Sequence, residues 1–239
     1  MRNVWKFELR RYFLTPVGYV FIVIFWVLSA AFFFLYNVLR GTSDLTELFG
    51  NLNYLFMMIV PLLTMRLWSA ERRQRTDQLL YCTPTPLTAI VMGKFLAAVS
   101  MMAVALAGTG IYIVVLARYA ALQPGMIAVH YLGFFLLAAC YISVGVLMSA
   151  LTESQVIAAV LTFAANMLLQ LAEMAAPSVH IPYLPFVPGL LQSLALNAHY
   201  ARFTSGVVSP ADIGYFGLFL TVTLSLTICL LRGQHMRRR

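Results

Sequence analysis

Charged side chains are scarce in this chain, at 10% of its 239 residues, against about 25% in a typical soluble domain. So few charges could not cover a water-facing surface, and 62% of the residues are hydrophobic. This balance excludes a soluble globular protein and indicates an integral membrane protein. The apolar runs are long enough for spanning helices, so we expect helical spans and not the strands of a barrel.

The sequence also lacks the motifs of a nucleotide site or a hydrolase. It contains no G-x-x-x-x-G-K-[ST] loop for phosphates, no H-E-x-x-H pair for zinc and no G-x-S-x-G turn for a nucleophilic serine. We therefore expect neither catalysis nor a bound cofactor in this chain. If the protein moves a substrate with energy, another chain must supply that energy.

Metal-binding patterns are equally weak. The cysteines, Cys82, Cys140 and Cys229, are far apart, and the four histidines stand singly in the sequence. Twelve methionines could suggest copper, which favours thioether ligands, but methionine is also an ordinary core filler. Without histidine or cysteine at matching helical spacing, we expect no metal site.

Six apolar runs are each long enough to form a transmembrane helix. They cover residues of about 17–39, 52–68, 90–117, 126–151, 156–176 and 211–231. The segment Pro177–Pro210 is punctuated by proline, and its apolar pieces are too short to cross, which is typical of re-entrant or external helices. We therefore predict an all-α integral membrane fold, with one six-span domain over residues 1–239.

Basic residues are concentrated on one side of this six-span arrangement. Thirteen would lie with the termini and the loop between spans two and three: Arg2, Lys6, Arg10, Arg11, Arg66, Arg72, Arg73, Arg75, Lys94, Arg232, Arg237, Arg238 and Arg239. Only Arg40, Arg118 and Arg202 would lie on the other side. Cytoplasmic loops carry the excess of Lys and Arg, so both termini should be cytoplasmic. This pattern also explains the net charge of +8 without a nucleic-acid partner.

The first residues, Met1–Leu14, combine four basic side chains with an apolar side that carries Trp5, Glu8, Leu9 and Tyr12. This composition predicts an interfacial helix that leads into the bilayer. A signal-peptide start is the alternative. The following run, Val17–Leu39, is too long for a signal core and has no clear cleavage site, so we interpret it as the first span.

The longest strongly polar interruption lies between the second and third spans, from Arg66 to Lys94. Its candidate site residues begin with charge and end with an apolar group: Glu71, Arg72, Arg73, Arg75, Thr76, Asp77, Leu79, Leu80 and Tyr81. The Thr83–Pro86 sequence stops any helix, because proline lacks an amide donor and clashes with the preceding turn. A short charged helix should therefore lie on the bilayer surface or against a soluble partner. Lys94, at the start of the next span, could extend its ammonium group to the interface.

The fifth predicted span is polar along one side. Gln155, Thr162, Asn166, Gln170 and Glu173 fall within roughly an 80° sector of a helix at about 100° per residue. Each polar group costs free energy in lipid, so this stripe should meet water or a partner helix. We interpret it as lining a substrate pathway or a subunit interface; packing within one subunit is the alternative.

Two parts of the sequence are similar to a known family. The start, WKFELRRYFLTPVGY, has a basic helix followed by a Thr15–Pro16–Val17–Gly18–Tyr19 entry to the first span. The second part matches a pattern of an apolar-Pro-x-x-T-M-R run, an acidic and basic E-E-[RK]-x-x-G-T-x-E-x-L-L helix, a proline turn and G-K. The matching residues are Pro61, Thr64, Met65, Arg66, Glu71, Arg72, Thr76, Asp77, Leu79, Leu80, Pro84, Pro86, Gly93 and Lys94. The chain departs from the pattern at Ala70, in place of the first glutamate, and at Arg75, in place of the glycine.

On these residues the chain resembles the permease subunits of type-2 ABC exporters, especially the gliding-motility-type branch. The resemblance covers the first hundred residues, and the six-span plan extends it to the rest. It implies a multi-pass protein of the bacterial plasma membrane that pairs with a second permease, identical or a sister chain. It further implies two separate cytoplasmic ATPase subunits that bind ATP and Mg, with Glu71–Tyr81 as the coupling helix.

Three other interpretations stay open at this point. The polar segment could be a solvated loop that binds lipid headgroups, which would need Arg72, Arg73 and Arg75 but not Leu79 and Leu80. The whole chain could be a membrane scaffold or assembly partner without transport activity of its own. A membrane-embedded enzyme is the third, but the sequence lacks a convergent set of acid, base or metal residues.

Overall fold

A computed structural model describes residues 1–74, 86–118, 123–175 and 195–237 of the chain. Helix α1 spans Arg2–Leu14, α2 spans Pro16–Phe33 and continues as a π-helical turn over Phe34–Val38, α3 spans Thr46–Thr64 and α4 spans Ser69–Arg73. Helix α5 covers Leu87–Gly108, α6 covers Gly110–Leu116, α7 covers Pro124–Leu151, α8 covers Gln155–Ala175, α9 covers Leu196–Thr204 and α10 covers Pro210–Arg237. The regular structure of the described residues is helical throughout, which confirms the predicted helical class.

Five helical segments are long and apolar enough to cross a membrane. They are Pro16–Val38, Thr46–Arg73, Leu87–Leu116, Pro124–Leu151 and Pro210–Gln234. The chain is therefore a multi-pass membrane protein, and five of the six predicted spans are confirmed. The other predicted span corresponds to α8, whose apolar segment Gln155–Leu171 is shorter than those five. Its role as a sixth span stays a prediction.

The second span begins earlier than the sequence indicated. The polar residues 40–51 were expected to form a loop, but α3 already begins at Thr46. The Asp44 carboxylate accepts hydrogen bonds from the Thr46 amide at 2.9 Å and from the Thr46 hydroxyl at 2.7 Å. An acidic side chain here satisfies a backbone donor that the first turn of a helix leaves free. This local cap lets the helix start six residues before its apolar run.

The third span, expected as one helix, is interrupted at Thr109. The Trp26 indole nitrogen donates a hydrogen bond to the Ala105 carbonyl oxygen at 2.8 Å. In a continuous α-helix that carbonyl would accept from the Thr109 amide, which instead donates to the Leu106 carbonyl at 3.1 Å. Gly108 lies directly against the Trp26 ring, where no other side chain would fit. The interruption is therefore a side-chain insertion from α2 into the backbone ladder.

Helix α7 forms the centre of the bundle and packs against α3, α5, α8, α9 and α10. Its small residues allow close contact: Gly133 faces the Phe203 side chain on α9, and Gly145 faces the Thr64 side chain on α3. Because lipid gives no hydrophobic drive between helices, such close packing is what holds a bundle together. Helices α2 and α10 leave most of their apolar residues exposed and lie at the periphery of the bundle.

Helix α9 is the described part of the segment that was predicted to hold re-entrant or external helices; residues 176–194 lie outside the described residues. Its nine residues pack against α3, α7, α8 and α10, with Leu196, Tyr200 and Phe203 buried. The Tyr200 hydroxyl donates to the Phe49 carbonyl oxygen at 3.0 Å. A short helix thus lies within the bundle at the end where α3 begins.

Helix α1 lies against the span α5, and glycine makes this contact possible. A Cβ at Gly93 would lie 2.9 Å from the Val4 side chain and 3.2 Å from the Trp5 amide nitrogen. The Trp5 indole nitrogen also donates to the Ser100 hydroxyl at 3.0 Å. The expected interfacial helix is thus a helix docked on the bundle, with Glu8 and Tyr12 buried.

We expect Gly93→Val to separate α1 from α5 and to destabilise the protein by about 1–3 kcal/mol, the usual range for overpacking. Gly217→Val is the control, because in the described part of the chain no atom from another helix lies within 4 Å of the position that a Cβ would take at Gly217. The melting temperature of each detergent-purified variant measures the effect. Equal melting of both variants would show that the α1–α5 contact is loose.

Candidate functional site

The predicted coupling residues begin in α4, which forms the last part of the spanning segment Thr46–Arg73. Glu71 is buried, Arg72 is half-buried and Arg73 is exposed at the end of this short helix. The remaining predicted residues, Arg75, Thr76, Asp77, Leu79, Leu80 and Tyr81, lie outside the described residues. The structure therefore describes the first part of the polar segment, residues 66–74, and the contacts that hold it. We refer to residues 66–74 as the base of the polar segment.

The base is organised around the ammonium group of Lys94, which is buried. This group donates hydrogen bonds to Glu8 Oε1 at 2.8 Å, to Glu71 Oε1 at 2.5 Å and to the Leu67 carbonyl oxygen at 2.7 Å. An ammonium group has three donors, so all three are used. Its nitrogen also lies 4.9 Å from the centre of the Trp68 ring, within cation–π range.

Arg11 completes the charge balance. Its guanidinium lies 3.4 Å from Glu71 Oε1 and 3.9 Å from Glu8 Oε2, and it is the most exposed of the four side chains. Two carboxylates and two cations sum to zero charge, which is the condition under which buried charges are tolerated. We refer to Glu8, Arg11, Glu71 and Lys94 as the charge cluster.

Neutral contacts fix the same elements. The Tyr12 hydroxyl donates to the Leu63 carbonyl oxygen at 2.7 Å, and burial raises the pKa of Tyr12 above its usual value, so it stays a neutral donor. The hydroxyl oxygen of Ser149, on α7, accepts hydrogen bonds from the amides of Trp68 at 3.1 Å and Ser69 at 3.4 Å. At the start of a helix such amides have no acceptor within the helix itself, so Ser149 supplies the acceptor that they would otherwise lack. The base of the polar segment is thus attached to α1, α3, α5 and α7.

The role of Lys94 was not found from the sequence. The sequence indicated only that its ammonium group could extend to the interface, and the structure shows this group fully buried among two carboxylates and a carbonyl. Glu8 and Lys94 are 86 positions apart, so no local pattern connects them. One feature of the sequence could have indicated this contact. Glu8 is an acidic residue on the apolar side of the basic helix α1, and a buried carboxylate needs a cation as its partner.

The polar stripe lies on α8. Thr162 and Asn166 are fully buried within the chain, and the Thr162 hydroxyl donates to the Ala158 carbonyl oxygen at 2.8 Å. Neither polar atom of the Asn166 amide has a hydrogen-bond partner among the described residues, nor does Gln170 Oε1. The Glu173 side chain lies outside the described residues. The described polar residues Thr162 and Asn166 therefore face the interior of one chain. The role of the stripe in a pathway or at a subunit interface stays a prediction.

If the stripe lines a substrate pathway, replacing Asn166 and Gln170 together with leucine should leave assembly intact and reduce transport. A buried amide without a partner costs about 1–3 kcal/mol, so its removal should not weaken folding. Size-exclusion profiles measure assembly, and substrate accumulation in inverted vesicles measures transport. Met167→Leu, on the exposed side of the same helix, is the control. Normal transport by the double variant would assign the stripe to packing alone.

A second polar network, which the sequence did not reveal, joins three helices. The Asn53 amide nitrogen donates to Asn197 Oδ1 at 2.6 Å, and the Tyr141 hydroxyl donates to Asn53 Oδ1 at 3.1 Å. Asn53 and Tyr141 are buried. Interhelical hydrogen bonds of this kind hold helices together in lipid, here α3, α7 and α9.

No protein-family model matches the chain, and a search of curated proteins finds no match.

Proposed function

We propose that this chain is the six-span permease subunit of an ATP-driven ABC exporter of the bacterial plasma membrane. Two permeases, identical or sister chains, would form the substrate pathway, and separate cytoplasmic subunits would bind ATP and Mg and hydrolyse the nucleotide. The chain itself would perform no catalysis. The observation that carries the proposal is the charge cluster at the base of the polar segment.

A coupling element must be stiff, because a soft connection would absorb the movement of the partner. The charge cluster supports stiffness at this point: Glu71 on α4 and Glu8 on α1 share the ammonium group of Lys94 on α5. Separating any of these helices would leave a buried charge without its partner, which is strongly unfavourable. A force on residues 75–81 would therefore displace α1, α4 and α5 together.

The polar segment also has the composition of a docking element. Charged residues at its start would set the register on the ATPase, and Leu79, Leu80 and Tyr81 would fill an apolar cleft. Residues of the α8 stripe, Thr162, Asn166, Gln170 and Glu173, would line the pathway or the permease interface in another conformation of the bundle.

The orientation can be tested by cysteine labelling of intact cells. Val207 and Gln74 are both exposed and lie at opposite ends of the bundle, so each is accessible to a labelling reagent on its own side. In a variant with its native cysteines replaced by serine, we expect a membrane-impermeant reagent to label Val207→Cys and not Gln74→Cys. Labelling of Gln74→Cys alone would place the polar segment outside the cell and contradict the proposal.

Copurification from native membranes tests the partnership itself. We expect the intact chain to carry with it a cytoplasmic ATPase that has a phosphate-binding loop, with ATP hydrolysis in the purified complex. A stable chain that copurifies instead with an extracytoplasmic enzyme, and with no ATPase activity, would favour the scaffold function.

A further inference from the structure

A narrow cleft lies at the corner where α1 ends and α2 begins. Its lining includes Arg11, Thr15 and Val17 at this corner, and Arg66 and Leu67 from the base of the polar segment. Its volume of about 20 Å³ gives room for about one water-sized group. The cleft is therefore too small for a whole ligand, but it admits an oxygen atom of a larger molecule that rests at its mouth.

Arg66 brings a positive charge without a counter-charge to this cleft. Its side chain is half-buried, and it forms no ion pair and no hydrogen bond with any residue of the ranges 1–74, 86–118, 123–175 and 195–237. The neighbouring charge cluster sums to zero charge, so Arg66 leaves the surroundings of the cleft with a surplus positive charge. A partly desolvated cation of this kind favours an anion as its partner.

Arg11 brings a second guanidinium to the same cleft. Its contacts with Glu8 and Glu71 both use Nη1, and no described residue accepts from its other donors, on Nη2 and Nε. Burial and the Glu8 carboxylate raise the pKa of the Tyr12 hydroxyl. The charges of Arg11 and Arg66 both oppose that rise in pKa, so the two guanidinium groups lie near the same hydroxyl.

The Glu8 carboxylate also lines the cleft, but it is already neutralised within the protein. Its Oε1 accepts from the Lys94 ammonium group at 2.8 Å, and its side chain is only 5% exposed. The Thr15 hydroxyl is engaged as well, because it donates to the Arg11 carbonyl oxygen at 2.9 Å. The groups left for a ligand are therefore guanidinium N–H donors, whose planar fork matches the oxygens of a phosphate.

Exposed apolar side chains lie next to these donors. Helix α2 begins the spanning segment Pro16–Val38 directly after Thr15, so the cleft is at one end of a span. Leu14, which precedes Thr15, is 74% exposed, and Val20, about one turn beyond Val17, is 44% exposed. A free anion would leave these side chains uncovered. A molecule with a charged head and apolar chains would cover them, which favours a lipid.

We propose that this cleft holds the phosphate group of an anionic phospholipid. A phosphate oxygen would enter the cleft and accept hydrogen bonds from Arg66 and Arg11, and the acyl chains would lie along the exposed side of α2. A zwitterionic lipid would bind more weakly, because its ammonium group adds a positive charge beside two guanidinium groups. The lipid would thus connect α1 to the base of the polar segment. The proposal is independent of the export function and stands even if that function fails.

Native mass spectrometry of the detergent-purified full chain tests this site. The chain is titrated with phosphatidylglycerol and with phosphatidylcholine of the same acyl chains, and phosphatidylglycerol should bind several-fold more tightly. Arg66→Gln keeps an amide that donates hydrogen bonds but removes the charge. Phosphatidylglycerol should then bind about tenfold more weakly, the difference between a charged and a neutral hydrogen bond. Phosphatidylcholine binding should change little.

Two further variants keep the outcome interpretable. Arg10→Gln is the matched control, because it removes the same charge from the exposed side of α1, outside the cleft, and it should leave phosphatidylglycerol binding nearly unchanged. Val17→Phe keeps both guanidinium groups but fills the cleft, so it should weaken phosphatidylglycerol binding. If Arg66→Gln does not fold, as judged by its melting temperature, an unchanged affinity of Val17→Phe would by itself overturn the proposal.

The comparison of the two arginine variants separates a site from a basic surface. Equal loss of phosphatidylglycerol binding in Arg66→Gln and Arg10→Gln would show only diffuse attraction to basic residues and would overturn the proposal. Equal affinity of the wild type for the two lipids would overturn it as well.

Competition with inorganic phosphate identifies the source of the anion. At the same concentration as phosphatidylglycerol, inorganic phosphate should not displace the lipid, because it has no acyl chain to lie along α2. Displacement of the lipid by inorganic phosphate would assign the cleft to a free anion and contradict the lipid assignment.

Discussion

Replacing Lys94 with methionine is expected to destabilise the protein by about 3–5 kcal/mol, the largest effect of a single substitution that the structure predicts. Methionine nearly matches the length of the lysine stem but removes its charge. Glu8 and Glu71 would then face each other inside the bundle with only the partly exposed Arg11 to balance them. The loss comes mainly from the two uncompensated carboxylates and only to a small extent from lost packing.

The melting temperature of the detergent-purified variant and the amount of protein in the folded peak measure this effect. Lys6→Met is the matched control, because Lys6 lies on the exposed side of α1, and it should melt like the wild type. Combining Lys94→Met with Glu8→Gln and Glu71→Gln should restore much of the stability, since the buried charges are then gone. If Lys94→Met alone melts like the wild type, the charge cluster does not hold the three helices together.

The second large effect is expected at Leu80, in the part of the polar segment that lies outside the described residues. Leu80→Asp should detach or uncouple the ATPase, whereas Arg75→Ala should be mild. Burial of a leucine side chain contributes roughly 1.5–3 kcal/mol, whereas an exposed ion pair contributes about 0–1 kcal/mol. The apolar end of the segment should therefore matter more for docking than any single arginine.

The membrane fold should survive both substitutions, because neither residue lies in a predicted span. Melting temperatures of Leu80→Asp and Arg75→Ala near that of the wild type would establish that the fold survives. The same measurement separates a docking defect from the folding defect that is expected for Lys94→Met. Full ATPase binding by Leu80→Asp, together with loss of the segment's binding to anionic lipid when Arg72, Arg73 and Arg75 are removed, would favour a loop that binds lipid headgroups.

Hydropathy was sufficient to predict the helical membrane class, because a span must be a long apolar run whatever its neighbours are. Helix ends were less predictable, since they depend on individual side chains. The cap from Asp44 moved the start of α3 to Thr46, and the Trp26 indole interrupted the third span at Thr109. Neither feature has a periodic signal in the sequence.

The charge cluster could be predicted only in part, for a similar reason. Glu71 was identified from the density of charge around it, and that density is a local property of the sequence. Lys94 and Glu8 acquire their roles only when α1 docks on α5, through a contact that depends on the absence of a side chain at Gly93. Long-range pairing of this kind follows from tertiary packing, and one sequence does not contain it as a pattern.

The amount of ATPase that copurifies with each purified variant of the chain tests the proposed coupling role most directly. The measurement compares wild type, Arg75→Ala and Leu80→Asp, and it records ATP hydrolysis in the same preparations. The account predicts full ATPase binding for wild type and Arg75→Ala, and loss of binding or of stimulated hydrolysis for Leu80→Asp in a protein that still melts like the wild type. Full binding and coupling by Leu80→Asp would contradict it.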